Sequence, residues 1–209
     1  MSSLLLNKYS PLIEEIKTES GDKSSHIWLL VNPKYPSVNN DIWIPILEVI
    51  QDKVYRTLKN RINTRNIYIK NTISDIGLVS NGSLLGSAEI AEDIGSLRES
   101  IFEYRPKMIV TFGNLTYELV NRICEIRSEE GPKYWNSSNL EYEFVQSIAN
   151  FDINKINRIP LPRQITAKST SMEKYDSYWE ERDNYFRDVG TMIADRIIEN
   201  KDHLNIWID

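Results

Sequence analysis

Apolar residues along the chain fall into two alternating rhythms. Residues 26–31 (His26-Ile27-Trp28-Leu29-Leu30-Val31) are apolar at nearly every position, the pattern of a short strand buried on both faces. From Asn40 or Asp41, apolar side chains then fall at Ile42, Trp43, Ile46, Leu47, Ile50, Val54 and Leu58. That spacing predicts a helix, with Pro45 tolerated because it sits in the first turn. A second strand is read at 66–70, closing on Asn71-Thr72, and a Ser/Gly-rich loop follows. A second amphipathic helix runs from Glu89 through Ile94, Leu97, Ile101 and Phe102 to Tyr104, and stops before Pro106. "KMIVTF" then reads as a buried strand that turns at Gly113 and enters a helix from Asn114.

Beyond this point the rhythm weakens. Residues 131–157 are turn-rich, with a strand as one reading of Tyr142-Phe144-Val145 and another near Ile148. Residues 157–171, "NRIPLPRQITAKSTS", read as irregular. A last helix is expected from about Met172 or Tyr175 to Glu199, giving a C-terminal helix and tail over 172–209, and residues 1–25 are expected to form a helical lead-in. Strand and helix alternating three times predict a three-layer α/β/α sandwich around a mostly parallel sheet of four to five strands, as a single domain over 1–209. In such sheets ligands bind beyond the carboxyl ends of the strands. That rule selects Asn32 to Pro36, Asn71 to Asp75 and Thr111 to Asn114, and the 157–171 loop if a strand precedes it.

Composition narrows the chemistry. The lone cysteine, Cys124, excludes an internal disulfide and reads as a small core residue rather than a nucleophile. No signal peptide and no apolar run of ~20 residues is seen, so no membrane partner and a cytoplasmic location are expected. A net charge of −5 and the absence of an evident basic stripe argue against broad nucleic-acid binding, although a local patch matters more than the total. Two histidines and one cysteine do not compose a protein zinc site, and neither a dinucleotide nor a P-loop glycine signature is present. No metal and no cofactor are therefore expected. Nor is there a G-x-S-x-G elbow or a readable Ser-His-Asp set. Gly113 and Asn114 at a helix start could hold one anion, although Gly at such a place is ordinarily turn chemistry.

Two asparagines remain. Asn32 ends the first strand in "LLVNPKYPS", and Asn71 ends the second. Each could be a turn residue. Alternatively, an amide carries a donor and an acceptor on one planar head, and so can pair with a base edge or hold a water. Two of them at neighbouring strand ends would make a small neutral pocket.

Four segments in this order resemble the uracil-DNA glycosylase superfamily, an α/β/α fold that removes damaged or mismatched bases. Asn32-Pro33 in "LLVNPKYPS" is similar to the first motif of its mismatch-specific uracil/thymine branch, where the Asn positions the attacking water. "NNDIWIPILEVI" looks like the segment leading into the next helix, and Asn71 in "IYIKNTISDIG" matches the Asn that reads the extruded base. "LRESIFEYRPKMIVTFGNLTYELV" is similar to the family's helix, Arg-Pro-Lys, strand, Gly and helix. The resemblance implies Asn32 as the catalytic residue and Asn71, Tyr35 and Pro33 at the base. It also implies DNA contacts, with single- or double-stranded DNA, from Arg163, Gln164, Lys168, Ser169 and Arg158, in a protein acting as a monomer. The family's second catalytic motif normally carries a His or Asn, whereas "IPLPRQITAKS" has no His and places Arg163-Gln164 there. Three readings stand: a glycosylase excising uracil or a related base, a catalytically altered member binding nucleic acid or a protein, and an enzyme on free nucleosides or nucleotides.

Overall fold

The computed structural model describes residues 19–31, 39–73, 88–125, 133–161 and 172–208. Along the chain these form β1 (Glu19–Ser20), β2 (Ile27–Val31), α1 (Asn39–Leu58), β3 (Tyr68–Asn71) and α2 (Ala88–Tyr104). There follow β4 (Met108–Phe112), α3 (Asn114–Ile123), α4 (Ser137–Ala149), β5 (Asn157–Leu161) and α5 (Met172–Glu199). One five-stranded sheet runs in the order β1-β3-β2-β4-β5. β3, β2, β4 and β5 are mutually parallel, and only β1 is antiparallel, paired to β3.

This order fixes the layers. The crossover from β2 to β3 moves one way along the sheet, and that from β3 to β4 moves the other way, past β2. Right-handed crossovers in opposite directions must lie on opposite faces. Alternation along the strands agrees. Ile27, Leu29, Val31, Ile69, Val110, Phe112 and Leu161 face α1 and α5, whereas Trp28, Leu30, Tyr68 and Ile109 face α2 and α3. On the first side Trp43, Ile46, Ile50 and Val54 form the buried stripe of α1, and Phe186, Val189, Ile193 and Ile197 that of α5. Trp28 meets the Tyr68 ring edge-on at 4.7 Å on the other side. The architecture is the expected three-layer α/β sandwich with a mostly parallel sheet.

Three local expectations change. Residues 142–145 and 148, one reading of which was strand, belong to α4. The buried residues Leu140, Phe144 and Ile148 recur every four positions, and the Asn136 side chain caps the start by accepting the Asn139 N–H at 3.0 Å. Tyr142 and Val145 suggested a strand because their types favour one, but they lie on the exposed side of the helix. Residues 157–161, expected to be irregular, form β5. Pro160 hid it; a proline lacks a ladder donor and is accommodated because β5 is an edge strand. Within the expected helical lead-in, Glu19–Ser20 is a strand, held by the Glu19 carboxylate accepting from the Tyr68 hydroxyl at 2.6 Å and from Lys70 Nζ at 3.2 Å. Among the described residues no helix is long and apolar enough to cross a membrane.

Candidate active site

The strand order reverses between β2 and β4, so the crevice of this sheet opens beyond Val31 and Phe112. Asn71 sits at the same edge. It is only 2% exposed, on the strand face shared with Ile69, and its register partner is Val31, the residue that precedes Asn32. The Thr72 N–H donates to the Val31 carbonyl at 3.1 Å, which carries the β2–β3 pairing one residue past the strand and fixes the backbone at Asn71. Burying an amide is costly relative to an apolar residue.

Around Asn71 the floor of the crevice mixes apolar and small polar groups. Val31, Phe112 and Leu161 end their strands on the α1 side. The Trp43 ring of α1 lies 4.5 Å from that of Phe112, fully buried, and its indole N–H finds no partner among the described residues. The hydroxyls of Thr72 and of Thr111, which faces the other side of the sheet, are likewise buried without a partner among the described residues. An unpaired buried polar group costs about 1–3 kcal/mol. Trp43, placed by its spacing on the apolar stripe of α1, lies in the core as that spacing implies.

Gly113 closes β4 with φ 84° and ψ 160°, a conformation that is essentially glycine's alone. Its N–H donates to the Leu161 carbonyl at 2.9 Å and its carbonyl accepts the Tyr117 N–H at 3.1 Å. Gly113, not Asn114, is thus the N-cap of α3. Asn114 is the first helical residue, exposed, with its own Oδ1 accepting the Leu115 N–H at 2.8 Å. The expected anion cradle is in this way partly filled by the chain itself.

Arg158 lies apart from Asn71. It lies near the amino end of β5, paired in register with Ile109, and so on the α3 side of the sheet. Its Nη1 donates to Asn121 Oδ1. Arg158 thereby joins a polar network on α3. Glu118, with no exposed side-chain surface, accepts from Arg122 Nε at 2.8 Å and from Trp135 Nε1 at 2.8 Å. The Tyr117 hydroxyl donates to Glu143 at 2.9 Å, and burial foremost pushes its pKa upward. This network fastens α3 to α4 and to the segment before it.

No protein-family model and no curated protein sequence matches the chain.

Neither histidine serves the crevice. His26 precedes β2 at the amino edge, where its Nδ1 accepts the Asn205 N–H at 2.9 Å, and His203 lies in the 3-10 turn Lys201–His203. Burial, then Lys107 nearby, lowers the His26 pKa. Cys124 caps the end of α3, half-buried rather than in the core, with burial raising its thiol pKa. Among the described residues no group of three or more His, Cys, Asp or Glu could hold a metal ion. Asn32, Pro33, Tyr35, Arg163, Gln164, Lys168 and Ser169 lie outside the described residues.

Proposed function

We propose that the chain is an N-glycosylase of the uracil-DNA glycosylase type, which hydrolyses the bond between deoxyribose and uracil or a related base. One observation carries this reading: Asn71, a buried amide at the carboxyl end of β3, pairs in register with the residue preceding Asn32. Glycosidic cleavage runs through an oxocarbenium-like sugar while charge builds on the leaving base, after the base has been extruded from its strand. The Asn71 amide hydrogen-bonds the base edge, offering a donor and an acceptor without a charge that would repel the departing anion. Asn32 orients the water, which an oxocarbenium centre needs positioned more than deprotonated. Tyr35 stacks on the base beside Pro33. Arg163 and Gln164, with Lys168 and Ser169, grip the flanking phosphates. The enzyme needs no cofactor, and it acts as a cytoplasmic monomer.

A second reading has its own support. The chain's two histidines both lie away from the crevice, so no imidazole steadies the leaving base there. That placement favours a member of the fold that binds nucleic acid or a protein without excising anything. A uracil-containing oligonucleotide, single- and double-stranded, separates the two. Abasic product from the wild type, abolished in Asn32→Ala and Asn71→Ala, supports the glycosylase. Binding without abasic product refutes it and supports the second reading. Release of uracil from free deoxyuridine, with the oligonucleotide left intact, moves the activity to nucleosides.

A further inference from the structure

A second surface lies at the opposite edge of the sheet. Five of the chain's 25 Lys and Arg residues fall within residues 53–65, "KVYRTLKNRINTR", with no acid among them, although the whole chain carries a net charge of −5. Two of the five are neutralised locally: Lys53 pairs with Asp195 of α5, and Arg56 pairs with Asp52 one turn earlier. Lys59, Arg61 and Arg65 are exposed and make no ion pair among the described residues. Beside two of them is Tyr55, 44% exposed on the outer face of α1, with Lys59 Nζ 5.9 Å and Arg61 Cζ 5.2 Å from its ring centroid.

The fold holds this surface in place. The chain leaves α1 through Lys59, whose φ of 55° turns it sharply. Ile62 is then buried and bridges Trp207, while the Asn63 N–H donates to the Ile206 carbonyl at 2.7 Å and the Ile208 N–H to the Arg61 carbonyl at 2.9 Å. With Ile62 pinned inward, Arg61 is left outward beside Tyr55. A helix C-terminus attracts cations within its last turn, which accounts for Arg56 and Lys59. It does not account for Arg61 and Arg65, which lie beyond the helix, nor for an exposed tyrosine beside Arg61.

We propose that Tyr55, Lys59, Arg61 and Arg65 form a contact surface for single-stranded nucleic acid. The cations meet backbone phosphates, and Tyr55 offers a ring on which an unpaired base stacks. A lipid surface fits less well, because the apolar neighbours Val54 and Ile62 are buried and offer nothing to insert. The patch adjoins the amino end of β3, so it is separated from the crevice by roughly the 15 Å length of a short strand. It is independent of any chemistry at the crevice.

The test is fluorescence anisotropy with a labelled oligodeoxycytidylate of about 20 nucleotides, which spans such a site and carries no uracil. The triple variant Lys59→Gln, Arg61→Gln, Arg65→Gln is compared with a charge-matched control, Arg98→Gln, Lys133→Gln, Lys155→Gln. In the triple variant affinity should fall at least about tenfold, and the slope of log K against log salt should shrink by about 2, from ~0.7 per phosphate. Tyr55→Ala should weaken binding about fivefold or more, and the control should stay close to wild type. Equal losses in the triple variant and the control overturn the proposal. So does a Tyr55→Ala protein that binds as the wild type does, or a wild type that binds phosphatidylserine vesicles but not the oligonucleotide.

Discussion

Three glycines give a prediction whose sign differs from one to the next. Gly113, at the N-cap of α3, has φ 84° and ψ 160°. An alanine there is held in a region costing about 1–3 kcal/mol, offset by about 0.4–1 kcal/mol from the less flexible unfolded chain. The net expectation for Gly113→Ala is a loss of ~1–2 kcal/mol. Gly95 lies within α2, and a Cβ built on it meets nothing within 4 Å. Gly95→Ala should therefore gain about 0.5–1 kcal/mol, the ordinary helical advantage of alanine. Gly190 is also helical, in α5, but its Cβ would lie 2.9 Å from Val49 Cγ1 of α1. Gly190→Ala should lose stability despite the better helix former, because α1 and α5 must move apart.

Thermal unfolding followed by circular dichroism reads all three. For a domain of this size 1 kcal/mol corresponds to a shift of roughly 2–4 °C. Gly113→Ala should thus melt roughly 2–8 °C lower, and Gly95→Ala roughly 1–4 °C higher. A Gly113→Ala protein as stable as the wild type would show that the chain does not hold this conformation at the end of β4. The described floor of the crevice would then be wrong. A Gly190→Ala protein that gains stability would show that α5 does not lie against Val49.

Other parts of the fold make separate commitments. Glu118→Ala leaves the buried Trp135 indole without its acceptor and should cost ~1–3 kcal/mol in urea unfolding, whereas Glu118→Gln should cost less; near-equal losses would argue against these bonds. Arg158→Met should lower stability through Asn121 but leave affinity for a uracil oligonucleotide unchanged, and weakened binding would place Arg158 on a DNA surface. His26 has its pKa lowered in the folded state, so below ~6.5 the unfolded chain binds the proton first. Stability should be full above that pH and should decline as the pH falls through the lowered value. His26→Gln should flatten this decline in denaturation curves taken across the range, and an unchanged slope would place its cause elsewhere.

The parts of the fold legible in the sequence were those where burial imposes a period. β2 and β4 are buried at every position, and the stripe of Trp43, Ile46, Ile50 and Val54 marks one face of α1. α4 was hidden because β-favouring residues occupy its exposed face, and β5 because a proline interrupts it; both are tertiary facts about which side faces solvent. Asn71 stood out in the sequence because an amide closes an apolar strand, but its 2% exposure is visible only in the fold. For Arg158, sequence proximity to 163–169 does not tell which end of a strand it occupies; β5 sets it near the amino end, in register with Ile109. The cations at 59–65 were passed over in the sequence because a net charge averaged over the whole chain cannot report three of them gathered in one short stretch.

Asn71 offers a test that separates reading a base from merely filling a turn. Asn71→Asp keeps the shape but adds an ionisable proton at a position 2% exposed. Burial penalises the carboxylate, so the introduced carboxyl should titrate well above the ordinary ~3.9 of an aspartate. While protonated it presents one donor and one acceptor, as the amide does, and can still pair with a uracil edge. Once ionised it presents acceptors alone and sets a negative charge against a base that must leave as an anion. Excision by Asn71→Asp should therefore persist at low pH and fall as the pH rises through the raised value, while the wild type shows no such decline over the same window. A turn-forming asparagine has no reason to behave in this way, because an ionised carboxylate serves a turn as well as the neutral acid does. Single-turnover excision rates measured across pH decide it: a variant whose profile parallels that of the wild type would remove Asn71 from the base.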